Sequence, residues 1–265
     1  GMYDHVGGGF HRYATDERWH VPHFEKMLYD QAQLAVSYIE AYQSTQDASF
    51  ADVARDVLAY VLRDLTHPEG GFYSAEDAES APDAAKPGEK EEGAYYVWTK
   101  HEMDSILSPE EAALFNGYFG VEESGNVAED PHGVFQGKNI LHIVQSIGDA
   151  SRASGISGQQ AKAMLTSSRQ KLAAGRSMRP RCHLDDKILT SWNGLMISAF
   201  AGAYQVLGEE EYLRAAEKAA TFVLSHLRDA SSRELLHRYR DGEARFEAHL
   251  DDYAFFIQAL IDLYE

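Results

Sequence analysis

An Ala-Tyr-Gln triplet at 41–43 returns at 203–205, and the match extends well beyond it. At the same offset of 162, Phe50 pairs with Tyr212, Ala54 with Ala216, Tyr60 with Phe222, and Val61-Leu62 with Val223-Leu224, without a gap. A third copy starts near the end. Asp252 to Tyr264 reproduces the spacing of Asp30 to Tyr42, with Phe256 standing for Leu34 and Leu260 for Tyr38, and Asp252 aligns with Trp192 of the second copy. Within a copy the apolar residues recur at steps of three and four. Leu28, Ala32, Ala35, Ile39 and Tyr42 mark a helix over 26–45, and Phe50, Val53, Val57, Tyr60 and Val61 a second over 49–65. The short polar stretch between them makes an antiparallel helical hairpin, which His67-Pro68 and Gly70-Gly71 end. The second copy gives helices over 191–207 and 211–227, parted at Gly208, and the third a helix over 251–264.

One such hairpin cannot bury its apolar face alone, so a series of them means a solenoid or a closed ring. The first helix of each copy is rich in Ala, Gly, Leu and Phe and is expected to be buried on most sides. The second carries a charged stripe and is expected outside it. Two concentric rings of helices fit this asymmetry. The expected class is mainly all-α, a toroid of hairpins in a single domain over 1–265 with a few short strands in its connections. Six hairpins at about 60 residues each would need over 300 residues, so an incomplete ring is expected. In the middle, GAYYVWTK at 93–100 reads as a strand and 81–92 as a flexible acidic loop. Ser108-Pro109-Glu110-Glu111 is a capping box that opens a helix over 109–118. A further helix is expected over 158–174, and loop or short strands over 124–139.

The net charge of −18 argues against nucleic acid and against anionic membrane as partners. Its densest part, 15 Asp and Glu against 3 Lys between Glu76 and Asp130, reads as a solvated surface. No run of about 18 apolar residues exists, so no membrane-spanning helix is expected. GMYDHVGGGF has neither the basic nor the apolar part of a signal peptide. Cys182 is the single cysteine, which excludes an internal disulfide and makes a reducing cytoplasm the simplest location.

The helix starts carry the chemistry. Trp19, His20, His23, Glu25, Tyr29 and Asp30 surround the first. His183, Asp185, Asp186, Lys187, Trp192 and Asn193 surround the second, and Glu247, His249, Asp251 and Asp252 the third. Glu76, Asp77 and Glu79 follow the first hairpin. In a ring of helices pointing one way, these starts converge on one end of the axis. Indole and phenol faces stack on sugar rings, carboxylates, amides and imidazoles fix hydroxyls, and paired acids and imidazoles move protons. Plainer readings stand beside these. Asp30 and Asp252 suit helix caps, Asp185-Asp186-Lys187 a turn with a surface ion pair, and His23 a structural histidine. His20 and His23, with His5 and His11, place no third ligand by any known motif, so no metal is expected. VGGGF lacks the Lys-Ser/Thr of a phosphate loop and reads as a turn-rich tip, and Cys182 reads as structural.

GGGFHRY, the stretch from Asp16 through WHVPHFEKMLYDQAQL, then GGFYSAEDAES, EGAYYVWTK and DDKILTSWNGLMISA together resemble the family typified by spermatogenesis-associated protein 20 and its bacterial relatives. The resemblance runs through nearly the whole chain. It implies a thioredoxin-like domain, absent here, followed by an (α/α)6 toroid of the six-hairpin glycosidase type, similar to N-acylglucosamine 2-epimerase. It also implies a small carbohydrate as partner, chemistry without a cofactor, and a histidine that takes and returns the C2 proton of an opened sugar. His23 or His249 would be that base, with Glu25, Asp77 or Asp186 orienting it or stabilising charge. Trp19 and Trp192 would stack the sugar, and Arg12 and Asn193 would bind hydroxyls. His11, Tyr29, Asp30, Glu79, Asp185, Lys187 and Asp252 complete the expected substrate-binding set. Two alternatives stay open. One is glycoside hydrolysis by two carboxylates drawn from Asp30, Asp77, Asp185 and Asp252. The other is a non-catalytic module serving the thioredoxin-like domain, with a homodimer across an open edge as one form of assembly.

Overall fold

A computed structural model describes residues 1–128, 130 and 133–265; Glu129, Pro131 and His132, within the stretch expected to be loop, lie outside the described residues. In chain order the first elements are β1 (Tyr13–Ala14), β2 (Pro22–His23), β3 (Lys26–Met27), α1 (Leu28–Thr45), α2 (Ala48–Asp64), β4 (Ala75–Glu76), β5 (Glu79–Ser80), β6 (Glu91–Glu92), α3 (Lys100–Ile106) and α4 (Pro109–Tyr118). Then follow α5 (Ile147–Ala153), α6 (Gly158–Arg176), β7 (Leu184–Asp185), β8 (Ile188–Leu189), α7 (Thr190–Leu207), α8 (Glu210–His226), β9 (Leu236–Arg240), β10 (Glu243–Glu247) and α9 (Leu250–Tyr264). The mainly helical class and the hairpin organisation are as the repeat implies. The elements fall into two compact units, one of residues 1–7, 11–25 and 78–183, the other of 8–10, 26–77 and 184–265.

The second unit holds the repeat. The first and last residues of α1 and α7 are equivalent in the repeat, Leu28 with Thr190 and Thr45 with Leu207. Those of α2 and α8 are too, Ala48 with Glu210 and Asp64 with His226, and α9 opens at Leu250, the equivalent of Thr190. The stops match as well. Gln46 (φ 59°) and Gly208 (φ 74°) both turn the chain through the left-handed region and donate N–H to the carbonyl four residues back, Tyr42 and Tyr204. α1 packs on α2 and α7 on α8, and α7 also packs on α1 and α9. α7 is accordingly the most buried helix of this unit, with Met196, Ile197, Ala199, Phe200 and Ala203 closed to solvent. Its approach to α9 requires a glycine: a Cβ on Gly194 would stand 2.6 Å from the Phe255 carbonyl carbon. Two three-stranded antiparallel sheets, β3-β4-β7 and β10-β9-β8, lie at the helix starts.

The turn-rich tip is tied to this unit. Phe10 N–H donates to Gln31 Oε1 and Gln31 Nε2 donates to the Phe10 carbonyl, both at 2.8 Å. Lys26 Nζ, closed to solvent, donates to the Gly8 carbonyl at 2.8 Å and lies 4.4 Å over the Tyr60 ring. Gly9 sits at φ 77°, and a Cβ there would meet Tyr60 Cδ1 at 2.7 Å. The glycines serve close backbone approach to α2 rather than a phosphate.

The first unit is built on α3, α4, α5 and α6. Trp98, Met103, Phe115, Phe119 and Leu172 form one apolar cluster, and Phe24, Tyr95, Tyr96, Ile140 and Cys182 another. The helices over 109–118 and from Gly158 are where capping and periodicity put them. The strand expected at 93–100 is not formed. Gly93 turns left-handed (φ 75°), Tyr96 and Val97 both donate to its carbonyl, and only Trp98 makes a bridge, to Asn139. Tyr95, Tyr96, Val97 and Trp98 are all buried, whereas a half-buried strand would alternate. The acidic loop is corrected at its end, where Glu91–Glu92 pairs with Glu79–Ser80. No helix among the described residues is long and apolar enough to cross a membrane.

Candidate functional site

In the first unit, β1 and β2 place a charged cluster around His23. Its Nδ1 lies 2.7 Å from Glu92 Oε1 and its Nε2 3.3 Å from Glu25 Oε2, while Tyr13 stacks on the ring at 4.9 Å. Arg12 Nη1 donates to the same Glu25 oxygen at 2.9 Å. Both ring nitrogens face carboxylate oxygens, so a substrate reaches either one only by displacing a carboxylate. His11 is a core histidine. It is buried, its Nδ1 is 3.0 Å from the Phe24 carbonyl, and its ring meets Phe24 and Tyr96 edge-on. Trp19 is 67% exposed on a left-handed backbone (φ 58°), in a loop held by Asp16, which accepts N–H bonds from Arg18, His20 and Val21. Glu79 is exposed on β5. His20 pairs with His142, rings 4.3 Å apart, and not with His23.

In the second unit the helix starts do assemble side chains. Tyr29 and Trp192, on α1 and α7, meet edge to face at 4.8 Å. Asp185 Oδ2 faces Lys187 Nζ at 3.0 Å, a half-exposed pair of the kind worth about 1 kcal/mol or less. Asp186 Oδ1 faces Arg240 Nε at 2.7 Å. Asn193 is closed to solvent. Its Oδ1 accepts from Phe72 N–H at 2.8 Å, and its Nδ2 donates to the carbonyls of Phe72 and Leu189 at 3.0 and 2.9 Å. That amide latches the chain at Phe72 and leaves nothing for a sugar hydroxyl. Asp30 lies in the first turn of α1, and Asp77 follows β4.

Asp252, at the start of α9, is the centre of the most complete arrangement. It is 0% exposed. Its Oδ1 accepts from Ser191 N–H at 2.8 Å, joining the starts of α7 and α9. Its Oδ2 accepts from His249 N–H at 2.8 Å, as a helix cap does, and lies 2.8 Å from His237 Nδ1. Taking Nδ1 as the protonated nitrogen leaves Nε2 of His237 as an acceptor on a side chain 25% exposed. His249 stacks on His237 at 4.6 Å and 23°. Helical periodicity does not reveal His237, because a β-hairpin, β9–β10, carries it. The signal that could have found it is Asp241-Gly242, a two-residue hairpin turn with both residues at positive φ (54° and 77°).

A cavity of about 560 Å³ runs between α1, α7 and α9. It is lined by their later parts, from Ala32, Leu195 and Phe255 onward, so no residue expected at the site borders it. In the first unit a cavity of about 310 Å³ is lined by Asp16, Arg18, His20, Glu122, Asn126 and His142, among others.

No protein-family model matches the chain. Over its whole length it is 42% identical to spermatogenesis-associated protein 20 of Homo sapiens across 285 aligned residues, and 40% identical to an uncharacterised protein of Caenorhabditis elegans across 280. The chain spans 36% and 38% of those proteins, a little over a third of their length. Among solved structures it is similar to cellobiose 2-epimerase from Spirochaeta thermophila, at 13% identity and a TM-score of 0.28, covering 99% of this chain and 76% of that one. It is also similar to a family 76 glycoside hydrolase from Bacteroides thetaiotaomicron, at 12% identity and a TM-score of 0.32, covering 99% of this chain and 48% of that one. At such scores these likenesses say nothing of this chain's substrate.

Proposed function

From a chain homologous over its whole length to part of spermatogenesis-associated protein 20, we propose a carbohydrate-active helical toroid of the sugar 2-epimerase or isomerase type. The observation that carries this reading is the buried Asp252 carboxylate against His237, with the His249 ring stacked beyond it. A carboxylate that accepts from Nδ1 orients the ring and stabilises the imidazolium that forms when Nε2 takes a proton. Nε2 would take the proton from C2 of an open-chain aldose, and the electron pair left behind would form the enediolate with the C1 carbonyl. Return of the proton at C1, with the O2 proton passing to O1, gives the ketose, and return at the far face of C2 restores the C1 carbonyl in the epimer. The His249 ring, stacked on His237 at 4.6 Å, lies on the same side of a substrate as His237, so the pair serves return at C1 better than return at the far face of C2. The Trp192 and Tyr29 rings are of the kind that stack on a sugar. His23, Glu25 and Arg12 would serve as a charged cluster that binds hydroxyls rather than as a base.

Hydrolysis by paired carboxylates is less well served, because among its candidates Asp185 faces Lys187 and Asp252 is closed to solvent. The test is deuterium incorporation. The chain and the full-length human relative are incubated with glucose, mannose, N-acetylglucosamine and cellobiose in D2O, and C1 and C2 are followed by proton NMR. Label at C2 that is lost in His237→Gln supports the reading. Absence of exchange by either protein on every sugar refutes it.

A further inference from the structure

Among the described residues, His237, His249 and Asp252 form the group in which three ligating side chains converge: one nitrogen of each imidazole and one Asp252 oxygen lie within 4.8 Å of one another. We propose that this group binds a divalent transition-metal ion through two histidines and one carboxylate. The inference goes beyond proton transfer and does not depend on it.

Three features support the site. The first is donor chemistry, since two imidazoles and a carboxylate suit nickel, cobalt, iron or zinc, whereas calcium and magnesium prefer all-oxygen sets. The second is charge. Asp252 is fully buried, its partners are the Ser191 and His249 N–H groups and one imidazole, and no lysine or arginine among the described residues pairs with it. A buried carboxylate without a full positive partner favours a cation beside it. The third is rigidity. The two backbone N–H bonds fix the carboxylate between α7 and α9, as an outer shell fixes a ligand before the metal arrives.

His237 Nδ1 and Asp252 Oδ2 stand 2.8 Å apart as a hydrogen-bonded pair, within reach of one ion at bonds of about 2.1 Å. The ion would replace the proton between Nδ1 and Oδ2. A neutral His237 would then carry its proton on Nε2, and a charged one would release a proton to solvent, so binding weakens as the pH falls. The His249 ring, 23° from parallel to that of His237, must turn to bring a nitrogen in, and its position before α9 is exposed. The loaded site has no free imidazole lone pair for a substrate proton, so metal and proton transfer exclude each other.

Cobalt(II) serves as the probe, by equilibrium dialysis, elemental analysis and visible absorption. The expected result is one cobalt per chain with visible absorption bands, lost in His237→Gln and weakened at least about tenfold in His249→Ala. His183→Gln, at an exposed position outside the group, retains binding. In the unaltered protein, cobalt should shift and broaden the imidazole resonances of His237 and His249 ahead of all others, a readout that needs no variant to fold. Failure to bind cobalt stoichiometrically, binding that survives His237→Gln, or broadening centred on other histidines overturns the proposal. None of these results depends on whether a sugar reacts.

Discussion

His5 makes the stability of this protein depend on pH below neutrality. It sits in the first unit edge-on to Tyr3 and tilted on Phe119, each ring about 5.0 Å away. Burial pushes its pKa from 6.5 down to about 3, reinforced by the nearby Gly1 ammonium, Arg169 and His142 and opposed by Asp4. The folded value lies below the unfolded one, so the unfolded chain binds the extra proton. Stability is full above about pH 6.5 and declines as the pH falls from there toward 3. The slope approaches about 1.4 kcal/mol per pH unit for one proton, so His5 alone removes about 2 kcal/mol between pH 7.5 and 5. Burial also lowers the pKa of His20, adding in the same direction. The perturbation is His5→Phe, which keeps a flat ring against Tyr3 and Phe119 and removes the titration. Urea unfolding at pH 7.5, 6.0 and 5.0, followed by circular dichroism and tryptophan fluorescence, measures the loss in both proteins. Over this range the variant should lose less than the parent, by about 2 kcal/mol. Equal pH slopes would refute the argument.

Three further outcomes follow from single contacts. Asn193→Ala leaves the Phe72 N–H and carbonyl buried without their amide and should cost about 3 kcal/mol in urea unfolding, with the loss unchanged by salt. Gly194→Ala places a methyl 2.6 Å from the Phe255 carbonyl carbon and should lower the melting temperature by forcing α7 from α9, at a cost of about 1–3 kcal/mol. Arg176→Ala removes the guanidinium that donates twice to buried Asp4, at 2.9 and 2.8 Å, and should destabilise by about 3–5 kcal/mol, with Asp4→Asn in the same background recovering part of it.

The repeat is legible in the sequence because hairpin geometry is enforced copy by copy. A one-residue slip between α1 and α7 would rotate every buried side chain off its partner, so the alignment of Tyr42 with Tyr204 also locates both caps. Legibility fails where burial lacks a period. Tyr95 to Trp98 bury four residues in succession, which imitates a strand, and Leu236 to Arg240 bury none fully, which hides one. α3 is hidden although Thr99 and Glu102 form a capping box, because a helix this short shows no periodicity. His237 is hidden with its hairpin, and so the central pair of the candidate site is half visible: Asp252 reads from the sequence as a cap, and its imidazole partner does not.

The polar load at the helix starts divides into two jobs once the copies are aligned. Gln31, Asn193 and Tyr253 occupy one register position, and each holds a neighbouring backbone: Gln31 at Phe10, Asn193 at Phe72, and Tyr253 through its hydroxyl, which accepts from Leu235 N–H at 3.1 Å. A position that does the same work in every copy belongs to the fold, and its polarity is no sign of a ligand. The position before it differs in kind. Asp30, Trp192 and Asp252 stand there, an acid, an indole and an acid. Trp192 packs on Tyr29, and Asp252 joins α7, the α9 cap and His237. A repeat that holds its latch constant and varies the adjacent residue keeps its architecture while changing what each helix start presents. The acid recurs in the first and third copies, and what sets the third apart is the imidazole that β9 brings against it, which makes that carboxylate the candidate for chemistry.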